Sequence, residues 1–244
     1  MDQYGAETFG ELHAEDYDEQ HDPGTTQASV QLLAELIGTR RALELAIGTG
    51  RVALPLAAMG VDVSGIDASS RMLAKLREKE AGADIDTAVA DIGDFSLPGR
   101  FDFIYLVFNT ILNLTTQDAQ VGCFQSVARH LTPGGCFLVE TIVPDIDSFS
   151  AGQRLRTLDV GFDSVNLEAV TYDPVDQTAN YQRIHITSKG VHLTPLPIRY
   201  VWPAELDLMG RLAGMTLVHR WGDWQQGAFT ADSHMHVSLY RLDD

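Results

Sequence analysis

Residues 42–57 join a short apolar run, a Gly-x-Gly turn and a resumed helical pattern, and a chain that contains this unit has few folds open to it. Arg41-Ala42-Leu43-Glu44-Leu45-Ala46 has the near-continuous apolar character of a strand buried on both faces. Arg51-Val52-Ala53-Leu54-Pro55-Leu56-Ala57 then resumes as a short packed helix. Between them Gly48 and Gly50 let the backbone turn tightly and approach a ligand. The helix that follows aims its unpaired N–H groups and positive dipole end at the turn, which suits a carboxylate, a phosphate or a nucleotide-like ligand.

Gly48-x-Gly50-x-x-Ala53 fits two templates, the dinucleotide fingerprint and the nucleoside-binding turn of methyl transfer enzymes. Acidic residues recur at the ends of the next two strand-like runs. Val61-Asp62-Val63-Ser64-Gly65-Ile66 ends at Asp67, and Ile85-Asp86-Thr87-Ala88-Val89-Ala90 ends at Asp91. Ligands of open parallel sheets bind outside the carboxyl ends of the strands, so Gly48, Asp67 and Asp91 are expected to converge there. A carboxylate at Asp67 can accept both vicinal hydroxyls of a ribose, and one at Asp91 can accept the exocyclic amine of adenine. Each also has a structural alternative: Asp67 can cap the helix after Ala68-Ser69-Ser70, and Asp91 can hold a turn.

Periodicity lays out the rest. Thr26 to Ile37 reads as a helix ended by Gly38, and Ser70 to Glu80 as another opened by Ser69. Thr115 with Asp118 forms a capping box for a helix whose stripe is Val121, Phe124, Val127, Ala128 and Leu131, stopping at Pro133-Gly134-Gly135. Cys136 to Thr141 is a fifth buried strand. After Pro144 three alternating runs, Val165–Tyr172, Ala179–Thr187 and Val191–Trp202, predict an antiparallel meander over the carboxyl edge of the sheet. That insertion can wall a substrate pocket or pair two subunits as a homodimer. A helix from Pro203 to Leu212 and strands Met215–Trp221 and His236–Leu242 complete the chain. The divisions are 1–25, an arm or lid; 26–147, a cofactor-binding core; 148–202, the insertion; and 203–244, the return to the core.

A formal charge of −17 over 244 residues argues against nucleic-acid partners, which are held by Lys and Arg neutralising phosphates. There is no apolar run of membrane-spanning length, and the first residues are acidic rather than a basic-plus-apolar leader, so no membrane partner and a cytoplasmic location are expected. Cys123 and Cys136 have no ligand spacing and read as small core residues. Asp2, Glu7, Glu11, Glu15, Asp16, Asp18, Glu19 and Asp22 precede the first basic residue, Arg40, and most of them read as a solvated face.

Glu44-Leu45-Ala46-Ile47-Gly48-Thr49-Gly50, Gly65-Ile66-Asp67-Ala68-Ser69, Val89-Ala90-Asp91-Ile92, Phe101-Asp102-Phe103-Ile104-Tyr105 and Leu131-Thr132-Pro133-Gly134-Gly135 resemble, in that order, the successive motifs of class I S-adenosylmethionine-dependent methyltransferases of small-molecule type. The resemblance implies an α/β, Rossmann-like, seven-stranded and mostly parallel sheet flanked by helices, with the antiparallel insertion after strand five. It implies S-adenosylmethionine as cofactor, leaving S-adenosylhomocysteine as product. The cofactor set it implies is Tyr17, Glu44, Ala46, Gly48, Thr49, Gly50, Asp67, Ala68, Met72, Asp91, Ile92 and Phe108. The glycine turn would hold the methionine part, Asp67 the ribose and Asp91 the adenine. Ala46 departs from the family pattern, which has glycine there, and its methyl group is expected to narrow the pocket.

Tyr4, Phe9 and Tyr17 lie where similar enzymes fold a segment over the cofactor mouth. The end of strand four supplies the methyl-facing candidates Phe108, Asn109, Thr110 and Asn113. The resemblance also puts the connector 222–233 on the rim, so Trp221 and Trp224, with Trp202, join Tyr4, Phe9, Asn109 and Asn113 as substrate-contact candidates, with packing against the core as the alternative. Asn109, His234 and His21 are the catalytic candidates; a hydroxyl acceptor needs a base such as His21, His234 or Glu140, whereas a neutral amine needs only alignment. Asp232, His234 and His236 alternate but lack a further ligand, so no metal is expected. The expected reaction is methyl transfer to nitrogen or oxygen of a small-molecule metabolite. A nicotinamide-dependent oxidoreductase would leave Asp91 and Leu131-Thr132-Pro133-Gly134-Gly135 unexplained, and a non-catalytic scaffold is the third alternative.

Overall fold

The computed structural model describes residues 4–21, 24–146 and 149–243, with the side chain of Gln20 left aside. Two short helices, α1 (Thr8–His13) and α2 (Tyr17–Gln20), precede α3 (Thr26–Ile37). An alternating series follows: β1 (Ala42–Leu45), α4 (Ala53–Ala58), β2 (Val63–Asp67), α5 (Ser70–Glu78), β3 (Asp86–Val89), β4 (Phe101–Leu106), α6 (Gln117–His130) and β5 (Leu131–Ile142). Four strands come next, β6 (Gln153–Val160), β7 (Ser164–Asp173), β8 (Thr178–Thr187) and β9 (Gly190–Arg199), and then α7 (Pro203–Leu212), β10 (Met215–Trp221) and β11 (Met235–Leu242).

The main sheet has seven strands in the order β10-β11-β5-β4-β1-β2-β3. Pairs among β5, β4, β1, β2 and β3 are parallel, and β11 runs antiparallel to both of its neighbours. Every residue of β1 and β2 is buried, as strands covered on both faces require. From Phe103 onward alternation along β4 divides the core: Ile104 and Leu106 face α6 and α7, as does Phe101 before a register irregularity, while Phe103 and Tyr105 face α3, α4 and α5.

Several boundaries differ from expectation. Thr116, not Thr115, caps α6, its Oγ1 accepting the Ala119 N–H at 3.1 Å. That helix ends at His130, so Leu131 and the Pro-Gly-Gly turn fall within the span of β5. The helix opened by Ser69 stops at Glu78.

The insertion is a separate antiparallel sheet, β6-β7-β8-β9. Its first strand was not anticipated, because Gln153–Val160 is an exposed edge rich in charge and carries little burial signal. The sheet is tied to the core by Arg199, which donates to Gln120 Oε1 at 2.6 Å and pairs with Glu205 at 2.7 Å, while Gln120 donates back to the Arg199 carbonyl at 3.0 Å. Val170, Ala179 and Ile198 extend the apolar core into it. Among the described residues no helix is long and apolar enough to cross a membrane.

Candidate active site

The crevice opens where β1, β2, β4 and β5 end. Immediately after β1 the backbone turns left-handed three times, at Ala46 (φ 53°), Gly48 (φ 56°) and Gly50 (φ 82°). Glycine adopts this conformation freely; Ala46 does so at a cost of roughly 1–2 kcal/mol. Gly48 donates its N–H to Asp67 Oδ2 at 2.8 Å, and Ser69 donates its N–H to Asp67 Oδ1 at 2.8 Å. One carboxylate thereby locks the glycine turn to the start of α5. Burial pushes the Asp67 carboxyl above the ordinary aspartate value, opposed by these two N–H donors.

A second strained corner follows β4, where Phe108 (φ 62°) and Asn109 (φ 60°) are both left-handed. Glu140 accepts the N–H groups of both residues, and Asn109 Oδ1 accepts the Ile142 N–H at 2.6 Å. The Arg51 guanidinium lies over the Phe108 ring at 4.6 Å. Glu140, a candidate base from sequence, therefore holds this corner from behind the cavity wall.

The cavity bounded by these corners has a volume of about 640 Å³, within the usual range for small-molecule sites. It brings together Tyr17, Ala46, Gly48, Asp67, Ala68, Met72, Asp91, Ile92 and Phe108 with Tyr4, Phe9, His21, Asn109, Asn113 and, at an exposed rim, His234. It does not include Glu44, Thr49 or Gly50. Glu44 is buried beneath the turn, accepting from Tyr105 Oη at 3.0 Å, and burial raises its pKa to about 8. Thr49 Oγ1 donates to Asp18 at 2.6 Å, and Gly50 faces Leu54 and Leu76.

The three tryptophans also lie outside the lining. Trp224 is buried in the core, Trp221 is half-buried and stacks on His219, and Trp202 is exposed and meets Tyr200 edge-on. Asp232 and His234 precede β11 instead of sharing its face with His236, and among the described residues no three metal-ligating side chains cluster.

The N-terminal segment forms an aromatic nest. Tyr17 stacks on His21 with centroids 5.0 Å apart, Phe9 meets both edge-on, and His13 lies 4.8 Å from His21. Among the described residues neither ring nitrogen of His21 makes a well-formed hydrogen bond, and burial, opposed in part by the Tyr17 backbone, lowers its pKa to about 4. The buried Tyr4 hydroxyl is likewise unpartnered, and burial pushes its pKa to about 12.

The acids of this N-terminal segment are not simply solvated. Glu11 and Glu15 pair with Arg71, Glu15 with Lys75 at 2.8 Å, and Asp18 with Lys79 at 2.6 Å. Asp2 and Asp22 lie outside the described residues.

Sequence reasoning offered the insertion as a candidate pocket wall but named none of its lining residues. One face of the insertion sheet lines the cavity with Arg154, Arg156, Glu168, Tyr172, Tyr181, Arg183 and Tyr200. The alternation of these strands was visible; which of their faces meets the crevice was not.

The description "Methyltransferase domain" matches residues 42–135, the segment that builds the glycine turn and both acidic strand ends. Over 83% of its length and 83% of the relative's, the chain is 28% identical to the cypemycin N-terminal methyltransferase of a Streptomyces species. It is 35% identical to the CcbJ methyltransferase of Streptomyces caelestis, with a TM-score of 0.92 over 99% of this chain and 100% of that one. The chain belongs to the class I S-adenosylmethionine-dependent methyltransferases.

Membership sets aside the nicotinamide and scaffold alternatives and makes S-adenosylmethionine the cofactor of this methyltransferase. A more distant structure, an S-adenosylmethionine-dependent methyltransferase from Clostridium acetobutylicum, shares the fold at 15% identity, with a TM-score of 0.78 over 97% of this chain and 98% of that one. The cavity fits such a cofactor. A Cβ built on Gly48 would meet no atom nearer than the Ala46 carbonyl oxygen at 4.0 Å, so this wall stands clear, and the buried carboxylate of Asp67 adjoins it.

Proposed function

We propose that this methyltransferase transfers the methyl group to an amine nitrogen of a small-molecule acceptor. The observation that carries this reading is His21: buried on the cavity wall, its ring nitrogens without a well-formed hydrogen bond among the described residues, and neutral because its pKa is lowered to about 4. A histidine so weakly basic is poorly matched to taking a proton from a hydroxyl near neutral pH. It can still accept one N–H of a neutral amine and turn the nitrogen lone pair toward the methyl donor.

When bound, S-adenosylmethionine supplies the methyl group on a sulfonium. In this reading Ala46 and Gly48 lie along its methionine part, Asp67 accepts the ribose hydroxyls, and Asp91 accepts the adenine amine. Tyr4, Phe9 and Tyr17 exclude water, and the Phe108–Asn109 corner positions the acceptor nitrogen for in-line attack. The product ammonium then gives its proton to solvent. The name of the cypemycin N-terminal methyltransferase supports nitrogen as the target.

A panel of primary amines, secondary amines and hydroxyl compounds, assayed for transfer of labelled methyl, tests the reading. Amines should be methylated, with a rate that rises with pH as the acceptor itself loses its proton. His21→Phe should reduce kcat by about tenfold or more. Methylation of hydroxyls with amines inert would overturn the proposal.

We further propose a homodimer joined through the outward face of the insertion, where Leu155, Val160, Phe162, Val191 and Leu193 are exposed. Unpaired, these side chains form an apolar surface of the kind that mediates association. A cytoplasmic setting agrees with two free cysteines, Cys123 and Cys136, both buried.

A further inference from the structure

The insertion sheet meets the cavity in rows whose chemistry changes steadily. Cross-strand register puts Arg156, Glu168 and Arg183 side by side in one row, Arg154, Val170 and Tyr181 in the next, and Tyr172 and Ala179 in a third. Successive rows are about 7 Å apart. The third row continues into an aromatic ladder, with Phe149 stacked on Tyr172 at 5.2 Å and Tyr172 on Tyr200 at 5.4 Å.

In a chain of net charge −17, three guanidinium groups gather here around one carboxylate. Glu168 is buried and engaged by Arg156 at 2.8 Å and Arg154 at 3.6 Å. Arg156 makes that contact through Nε, which leaves its terminal nitrogens without a partner among the described residues. Arg183 sits directly opposite Glu168 in the ladder yet forms no ion pair within 4.0 Å among the described residues. Arg183 lines the cavity together with His21, whose pKa is lowered by burial first and by this charge in smaller part. Asp145 is the other acid on this wall.

A planar guanidinium fork at the edge of an aromatic cavity is the arrangement that binds a carboxylate through two charge-assisted hydrogen bonds. We propose that the acceptor is an amine that also carries a carboxylate, held by Arg183 and Arg156, with its apolar body against Tyr181 and the Tyr172–Tyr200 ladder. This rests on the amine reading above for the reacting end and adds the recognition of the other end. Arg183 and His21 line the same cavity, so one amino-acid-like acceptor is to span them, its carboxylate at Arg183 and its amine toward His21.

The test separates the two ends. The protein–S-adenosylhomocysteine complex is titrated with 3-phenylpropionate, 3-phenylpropanamide and 2-phenylethyl phosphate, and methyl transfer is measured to phenylalanine, phenylalaninamide and phenethylamine. The carboxylates should bind and react better than their neutral counterparts, and Arg183→Gln and Arg156→Gln should each weaken 3-phenylpropionate by about tenfold. Arg183→Lys should recover part of that loss, and S-adenosylhomocysteine binding by each variant reports folding.

Equal binding of propionate and propanamide, or propionate binding that ignores both substitutions, would overturn the proposal. So would a clear preference for the phosphate ester. If hydroxyl compounds are methylated while propionate still depends on Arg183, the amine reading fails and the carboxylate site stands.

Discussion

Asp67 holds two backbone N–H groups and faces the cavity, so its loss should be felt chiefly as lost ligand affinity. Asp67→Ala should weaken S-adenosylhomocysteine binding by about 1.5–3 kcal/mol in calorimetric titration, the range for hydrogen bonds to a charged group. Glu44 behaves differently because it is buried behind the turn. Its folded pKa of about 8 lies above the ordinary 4.5, so the folded chain holds a proton here that the unfolded chain gives up. The stability linked to that proton is fully present below pH 4.5 and is lost as pH rises through about 8. Urea unfolding of the ligand-free protein across that window should show wild type losing stability with pH, and Glu44→Gln losing less. Both acids were legible as motif positions. Their different placements, one facing the cavity and one supporting the turn, were not, because two carboxylates near one turn differ only in which way the folded backbone aims them.

At the scale of elements, the N-terminal segment is seated by charge on α5. Arg71, Lys75 and Lys79 recur every four residues at and just past that helix and meet Glu11, Glu15 and Asp18 in order. Gly10 allows the close approach, since a Cβ there would fall 2.4 Å from Ser69 Cβ. Exposed pairs are individually weak and screened by salt. Affinity for S-adenosylhomocysteine should therefore fall by about two- to fivefold from low to molar salt, and Lys79→Ala should blunt that dependence. The acidic run was evident in the sequence; its basic partners on α5 were not singled out there. Nothing local said that the two meet, because about sixty residues separate them.

For the whole molecule, the insertion is a sheet with two different faces. Its inner face roofs the cavity, and its outer face carries three cross-strand rows that include Leu155, Leu193 with Leu167 and Ile184, and Val160 with Val165, Ile186 and Val191. In sedimentation the protein should run as a dimer, and Phe162→Asp combined with Leu193→Asp should shift it to monomer. A monomeric wild type at micromolar concentration would remove the dimer.

Sequence alone determined the parallel core, because strand, tight turn and helix follow from apolar runs, glycines and caps that act within a few residues. It likewise located Gly48, Asp67 and Asp91, since strand ends in such a sheet converge by topology. Tertiary structure decided what no local pattern encodes. It set Arg156 and Arg183 over the crevice and Trp224 into the core, and it brought His21 from the N-terminal segment to the cavity wall. Alternation along a strand says that two faces differ; only the packing of the whole sheet against the core says which face meets the ligand.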